Sequence, residues 1–480
     1  MSAPQVAVIG GGLAGITAAI ALAEAGAAVT LLEARPRLGG ATCSFARDGL
    51  VVDTGQHIYL GCCTAYRGLL DKLGMTAHAP IQDRFDVTVL APGSRPGRLR
   101  RTALPSPLHM LPALGRYPFL SLAERASVSR PALAMRRVDP ADPRVDEQRF
   151  GDWLAARGQS DRARRALWDL FTVSALNIAG DDASLSLAAT VVKTGLLGRS
   201  NAADVGVPAL PLGELHGDAG ATVLAQLGAQ VLLGAKVTAL EVDDAAPADA
   251  PRFRVRLARP VSPAEIPADA VVLAVPHEAA ARLIPPGALP EATVAGWAGL
   301  GASPIVNVHV IYDRPVLDLP FAAAVDSPVQ WIFDRTRISG LDRNSPGRAQ
   351  YLAISLSAAD EYVDVPAAAL REQFVPALAE LLPAAREVQV TEFFVTRERR
   401  ATFRQAPGTA RLRPRAGTRL PGLVLAGAWT DTGWPDTMES AVRSGLAAAI
   451  ELRRTVLTTG LAPSAPSDPN AYTSTIGVRH

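Results

Sequence analysis

Residues 5–34 read QVAVIGGGLAGITAAIALAEAGAAVTLLEA, and the reading of this stretch decides the fold. Val6, Val8 and Ile9 form a short apolar run, Ile16, Ala19, Ile20 and Ala23 recur at helical spacing, and Val29, Leu31 and Leu32 make a second run. The pattern is strand, glycine turn, helix, strand. Gly10, Gly12 and Gly15 take the three glycine positions of a dinucleotide fingerprint. The first permits a tight turn, the second lets backbone amides approach a pyrophosphate, and the third lets helix and sheet pack closely. The helix N-terminus adds partial positive charge where phosphates would sit. Glu33 ends the second strand about 20 residues on, where a carboxylate suits ribose hydroxyls.

After Glu33 comes ARPRLGGATCSF, in which Arg35 and Arg37 lead into Gly39 and Gly40. This second glycine pair offers another close backbone approach, as an extended two-nucleotide ligand needs. Next, VVDTGQHIYLGCCTAY begins at Val51 and gathers Asp53, Gln56 and His57, with Cys62 and Cys63 behind them. No metal is expected, because these residues lack the spacing of a zinc site and adjacent cysteines rarely point at one ion. Cys43, Cys62 and Cys63 read as buried small residues. Near the other end, GLVLAGAWTDTGWPDTMESAVRSGLAAAIELRRTV gives a strand at Leu423, Val424 and Leu425, a turn at Gly427 and a helix over residues 438–452.

Bulk properties narrow the class. A chain of 480 residues, 48% hydrophobic and 20% charged, can bury a large core and is expected to form two domains. A net charge of +2 supplies no broad field for nucleic acid. Three cysteines fit a reducing cytoplasm, and the opening residues predict no signal peptide. Every long apolar window is broken by Arg, Asp, Pro or Gly, so no membrane span is expected.

The Glu, Arg, Gly-Gly arrangement resembles the flavin-binding start of the amine oxidase and carotenoid desaturase superfamily, and the stretch from Gly427 to Met438 resembles its closing flavin motif. The resemblance implies bound FAD and an α/β fold: a Rossmann-like FAD-binding domain interleaved with a mixed α+β substrate domain. The FAD-binding domain would take residues 1–75, 206–285 and 418–457, and the substrate domain residues 76–205 and 286–417. Residues 458–480, rich in Pro, Ser and Thr, would form a disordered tail. The implied cofactor contacts are Gly10, Gly12, Leu13, Ala14, Gly15, Glu33, Ala34, Arg35, Gly39, Gly40, Ala41, Thr42, Gly55, Gln56, His57, Val237, Gly427, Thr437 and Met438, with Val237 against the adenine. The chain departs from the closing motif at Ala428, where an Asp is usual, and at Ser440.

Further segments sharpen the resemblance, among them FTVSALNIAGDDASLS, LAVPHEAAARLIP, SPIVNVHVIYDRPV and AGAWTDTGWPDTMESAVRSG. Together they look like the bacterial hydroxysqualene dehydroxylases, over residues 5–455. That family implies reduction of an allylic triterpene alcohol, hydroxysqualene, to squalene with loss of water. Such chemistry needs an acid beside the flavin. His57 is the first candidate, with Asp53 to orient it and Asp436 as second choice; alternatively His57 and Gln56 only hydrogen-bond backbone or flavin. Carotenoid or phytoene desaturation or isomerisation is a runner-up, since the direction of electron flow is not readable, and so is a non-redox prenyl-lipid carrier, against which the intact glycine cradle speaks.

Amine oxidation is a third alternative. Many amine oxidases carry a lysine where GASPIVNVHVIYDR has none; the lysines are Lys72, Lys193 and Lys236. Trp331, Tyr312 and Trp434 are the aromatic residues available for an amine cage. Finally, residues 104–138 mix Leu, Met, Phe and Pro with Arg116, Arg125, Arg130, Arg136 and Arg137. This segment is expected either to rest on the membrane surface, giving a peripheral protein, or to cap the substrate tunnel.

Overall fold

The computed structural model describes residues 3–455, apart from residues 244, 246, 248–249, 259–262 and 345–348. The tail expected over residues 458–480 lies outside the described residues. Five parallel strands form one sheet in the order Leu423–Leu425, Ala270–Leu273, Gln5–Ile9, Ala28–Glu33, Gln230–Leu233. Val6 to Ile9 in its central strand are all buried, and the run is continuously apolar because helices cover the sheet. The helix Leu13–Glu24 packs against the closing helix Met438–Thr455. A Cβ on Gly445 would stand 2.3 Å from the Ala14 carbonyl oxygen, so the first and last helices meet where only glycine fits. Two ends of the chain, far apart in sequence, thus form one unit.

The stretch after the helix Ala219–Gln226 folds as two strands, Gln230–Leu233 and Val237–Val242. The break is at Gly234, whose φ of +69° disfavours other residues. The Gly234 amide donates to the Arg35 carbonyl at 3.0 Å and the Ala235 amide to the Glu33 carbonyl at 2.8 Å. Tied there, the chain leaves the parallel sheet for an antiparallel one with Phe253–Leu257 and Glu265–Ala268.

A seven-stranded sheet runs Val390–Thr402, Ser303–Tyr312, Gln350–Leu356, Trp331–Asp334, Phe321–Ala324, Asp86–Leu90, Gly97–Arg100. Its strands and those of the parallel sheet alternate along the chain. We propose domain limits near residues 76, 206, 286 and 418, in the intervals between the two sets. Residues 104–138 form a series of short helices, Leu108–Met110, Leu111–Gly115, Leu122–Ser127 and Ser129–Met135. Among the described residues, no helix is long and apolar enough to cross a membrane.

Candidate active site

The glycine turn is sterically closed to other residues. Gly10 has φ +109°, and a Cβ there would stand 2.2 Å from the Ala274 carbonyl oxygen. A Cβ on Gly15 would lie 1.8 Å from the Gly10 oxygen, and one on Gly40 would lie 2.9 Å from Gly12 Cα. The Gly39 amide donates to the Gly11 carbonyl at 2.8 Å, locking the two glycine loops together. Gly12 precedes the helix that Leu13 and Ala14 open, and no side chain caps it, so its first amides face outward for a ligand. Glu33 accepts the Gly11 amide at 2.7 Å and the Arg35 amide at 2.8 Å, which retains lone pairs for hydroxyls. Ala34 lies between these anchors, and Val237 begins its strand two residues after Ala235, beside the Glu33 strand end.

These residues fit an extended dinucleotide. Arg37 Nη2 reaches Cys43 Sγ at 3.2 Å, but its buried Nε–H has no partner among the described residues. A buried guanidinium donor without an acceptor calls for one, and a phosphate or ribityl oxygen would serve. Thr42 Oγ1 donates to the Gly39 carbonyl at 2.9 Å, and Thr54 Oγ1 donates to the Ala41 carbonyl at 2.7 Å. The glycine-pair loop is thereby fastened to the segment carrying Gly55, Gln56 and His57.

In that segment, His57 Nε2 lies 3.2 Å and Asn307 Nδ2 3.9 Å from where a Gly55 Cβ would be. Asn307 is fully buried; its Nδ2 donates to the Thr54 carbonyl at 3.3 Å, which fixes the amide's orientation, and its Oδ1 has no donor. A narrow crevice is lined by His57, Gln56, Asp53, Val207, Phe333 and Arg335.

Asp53 does not make the expected orienting bond to His57. Arg335 donates to Asp53 Oδ2, while Oδ1 accepts Ser44 Oγ at 2.6 Å and the Leu212 amide at 2.9 Å. Asp53 therefore acts on His57 through charge alone. Desolvation holds the His57 imidazole below its ordinary pKa; the Asp53 charge and the Ala41 backbone oppose the shift and Arg335 reinforces it. Sequence reasoning missed Arg335 and Asn307, because nothing local marks either one.

At the back of the site Gly427 has φ +135° and donates its amide to Ser444 Oγ at 2.8 Å. The two departures from the closing motif are in contact, since Ser440 Oγ donates to the Ala428 carbonyl at 3.1 Å. Buried Arg413 donates to the carbonyls of Ala428 at 3.2 Å, Trp429 at 3.3 Å and Thr430 at 2.5 Å, so it shapes this loop. Thr437 Oγ1 accepts the Ser440 amide at 3.4 Å at the start of the helix that Met438 opens. Asp436, just before it, accepts the Phe403 amide at 2.9 Å, and desolvation pushes its carboxyl up to about 6. Glu439 accepts the Ala65 and Tyr66 amides at 3.1 and 2.8 Å, capping the helix Thr64–Lys72 that Cys63 leaves without a side-chain cap.

The proposed cage aromatics are dispersed among other partners. Trp331 stacks on Phe333 and donates to Ser174 Oγ at 2.7 Å, Tyr312 is buried in the core, and Trp434 lies under the Arg443 guanidinium. Of the cysteines only Cys43 is fully buried; Cys62 and Cys63 are partly exposed.

Residues 13–452 match the family described as flavin containing amine oxidoreductase, and the chain belongs to that family. It is an FAD-dependent oxidoreductase. The chain is 30% identical over 451 residues to the hydroxysqualene dehydroxylase of Rhodopseudomonas palustris, covering 92% of this chain and 97% of that one. It is 28% identical over 459 residues to the enzyme of the same name from Sinorhizobium fredii (93% and 97% covered), and 24% identical over 474 residues to the zeta-carotene desaturase of Arabidopsis thaliana (92% and 84% covered). Putrescine oxidase bound to putrescine superposes with a TM-score of 0.69 at 20% identity, over 94% of this chain and 99% of that one. That likeness is one of fold.

Proposed function

We propose that this protein reduces an allylic triterpene alcohol, hydroxysqualene, to the hydrocarbon squalene. The observation that carries the reading is the full-length similarity to hydroxysqualene dehydroxylases, which spans nearly all of both chains. The site adds a chemical argument. Near the Gly55 turn, Asn307 Oδ1 is a buried acceptor without a donor among the described residues, and an alcohol brings a donor where a carotene brings none.

The balance is alcohol plus FADH₂ giving hydrocarbon, water and FAD: one C–O bond breaks, one C–H bond forms, and a proton leaves with the hydroxyl. FAD, when bound and reduced, supplies the hydride. The chain must hold the hydroxyl, deliver the proton and keep water out. His57, held neutral by burial, is suited to hydrogen-bond the hydroxyl rather than to protonate it. Asp436 is the remaining candidate for the proton: burial pushes its carboxyl up to about 6, and it stands outside the lining of this crevice. Phe333, Val207 and Leu212 give the crevice an apolar side facing the polar groups of Gln56, His57 and Arg335.

The test offers the holoprotein, under reducing conditions, hydroxysqualene, and under oxidising conditions zeta-carotene or putrescine, followed by mass spectrometry of the products. Squalene from the first alone is the expected result. Turnover of zeta-carotene alone would move the assignment to desaturation, and of putrescine alone to amine oxidation.

A further inference from the structure

Of the nine exposed large hydrophobic side chains among the described residues, five are leucines within residues 104–133. Leu122 is 79% and Leu133 60% exposed, while Leu104, Leu108 and Leu111 lie between 46% and 48%. The short helices that bear them pack in succession, Leu111–Gly115 on Leu122–Ser127 and that on Ser129–Met135. The leucines do not result from a loose segment. Ser121 and Glu124 form a reciprocal capping box that fixes the turn presenting Leu122, and beneath it Phe119, Leu120, Val128 and Met135 are buried in the core. Apolar side chains held outward by an ordered scaffold mark a surface that meets something apolar.

Charge identifies the partner. Residues 104–138 contain five arginines and one carboxylate, Glu124. That carboxylate is engaged by the Ser121 amide at 2.8 Å and by Ser160 Oγ at 2.6 Å, and Arg125 is held by the Leu120 and Gly115 carbonyls at 2.8 and 2.7 Å. Arg116, Arg130, Arg136 and Arg137 are exposed and form no salt bridge among the described residues. We infer that this face docks on an anionic lipid bilayer, with the leucines entering the acyl boundary and the four arginines meeting lipid phosphates. A protein groove would satisfy the leucines but offers no reason for such an excess of free guanidinium groups. The inference stands apart from the reaction proposed above, because docking is read without turnover.

Flotation with vesicles of phosphatidylcholine alone or mixed with phosphatidylglycerol tests it, using the FAD-loaded full chain. Binding is expected to the mixed vesicles and to weaken as salt rises. The triple variant R130Q/R136Q/R137Q should lose about fivefold in partition coefficient per arginine. L122S/L133S should lose about tenfold per leucine even at low salt, and both variants should retain FAD and the thermal midpoint. Equal binding by wild type and both variants, or no binding to either vesicle, would overturn the inference. So would a homodimer in solution that L122S/L133S dissociates, since the face would then belong to a second copy.

Discussion

Arg335 and Asp53, 282 positions apart in sequence, form an ion pair in which both side chains are more than nine-tenths buried. The pair joins the end of the strand Leu50–Asp53, which leads to Gly55, Gln56 and His57, to the residue that follows the strand Trp331–Asp334. A buried pair adds little net stability beyond an apolar replacement, but removing one partner strands the other charge.

Arg335→Met should therefore destabilise the protein by about 3–5 kcal/mol, whereas the double replacement Arg335→Met with Asp53→Leu should recover much of the loss. Urea unfolding of the two variants measures the difference. Equal stability of Arg335→Met and wild type would mean that the pair does not organise the site.

Contact between the two chain ends makes FAD binding depend on residues far from the cofactor cradle. Gly445→Val would drive a side chain into the Ala14 carbonyl, and Gly15→Val into the Gly10 carbonyl. Both variants should purify with FAD depleted by tenfold or more if they fold, which the ratio of flavin to protein absorbance reads. Gly228→Ala, where no atom lies within 4 Å of the added Cβ, should keep its FAD at a modest cost in stability from its φ of +73°.

Asp436 links activity and stability to pH. Its folded pKa, about 6, stands above the unfolded value, so its contribution is fully present below the unfolded pKa and is lost as pH rises from about 4 through 6. Asp436→Asn should remove this dependence and gain up to about 3 kcal/mol above pH 7. If Asp436 supplies the proton, turnover should fall as pH rises through about 6, and Asp436→Asn should lose most of its turnover at every pH. The buried histidines act in the opposite sense. Desolvation holds His216 and His309 near 3, so their contribution is lost as pH falls below the ordinary histidine range.

Asn307→Leu tests the proposed grip on the substrate hydroxyl. With FAD content unchanged, kcat/KM for the alcohol should drop by about tenfold. An unchanged kcat/KM would leave Asn307 a structural residue that fastens Thr54.

The cradle was legible in sequence because everything that builds it is local: Gly10, Gly12, Gly15, Glu33 and the Gly39–Gly40 pair lie within one run of chain, and at Gly10, Gly15, Gly39 and Gly40 a turn or a close approach requires glycine. The closing strand and helix were legible for the same reason. Bonds across the fold were not. Asn307 reaches Thr54 over 253 positions, Glu439 caps a helix more than 370 positions away, and Arg413 is one arginine among several in its stretch until its carbonyl partners are seen. Asp53 was recognised as a polar group of the site but paired with the wrong neighbour, since proximity in sequence favours His57 and only tertiary structure brings Arg335. The strand break at Gly234 was hidden because its signal, a glycine between apolar residues, also fits a simple turn.

The central claim, hydride reduction of an allylic alcohol, is tested most directly by anaerobic single turnover. The holoprotein is reduced chemically, freed of excess reductant and mixed with hydroxysqualene while flavin absorbance and product are followed together. The account predicts reoxidation without dioxygen and one squalene formed per FAD oxidised. Flavin that stays reduced while the alcohol is recovered unchanged, from protein that still binds it, would contradict the account.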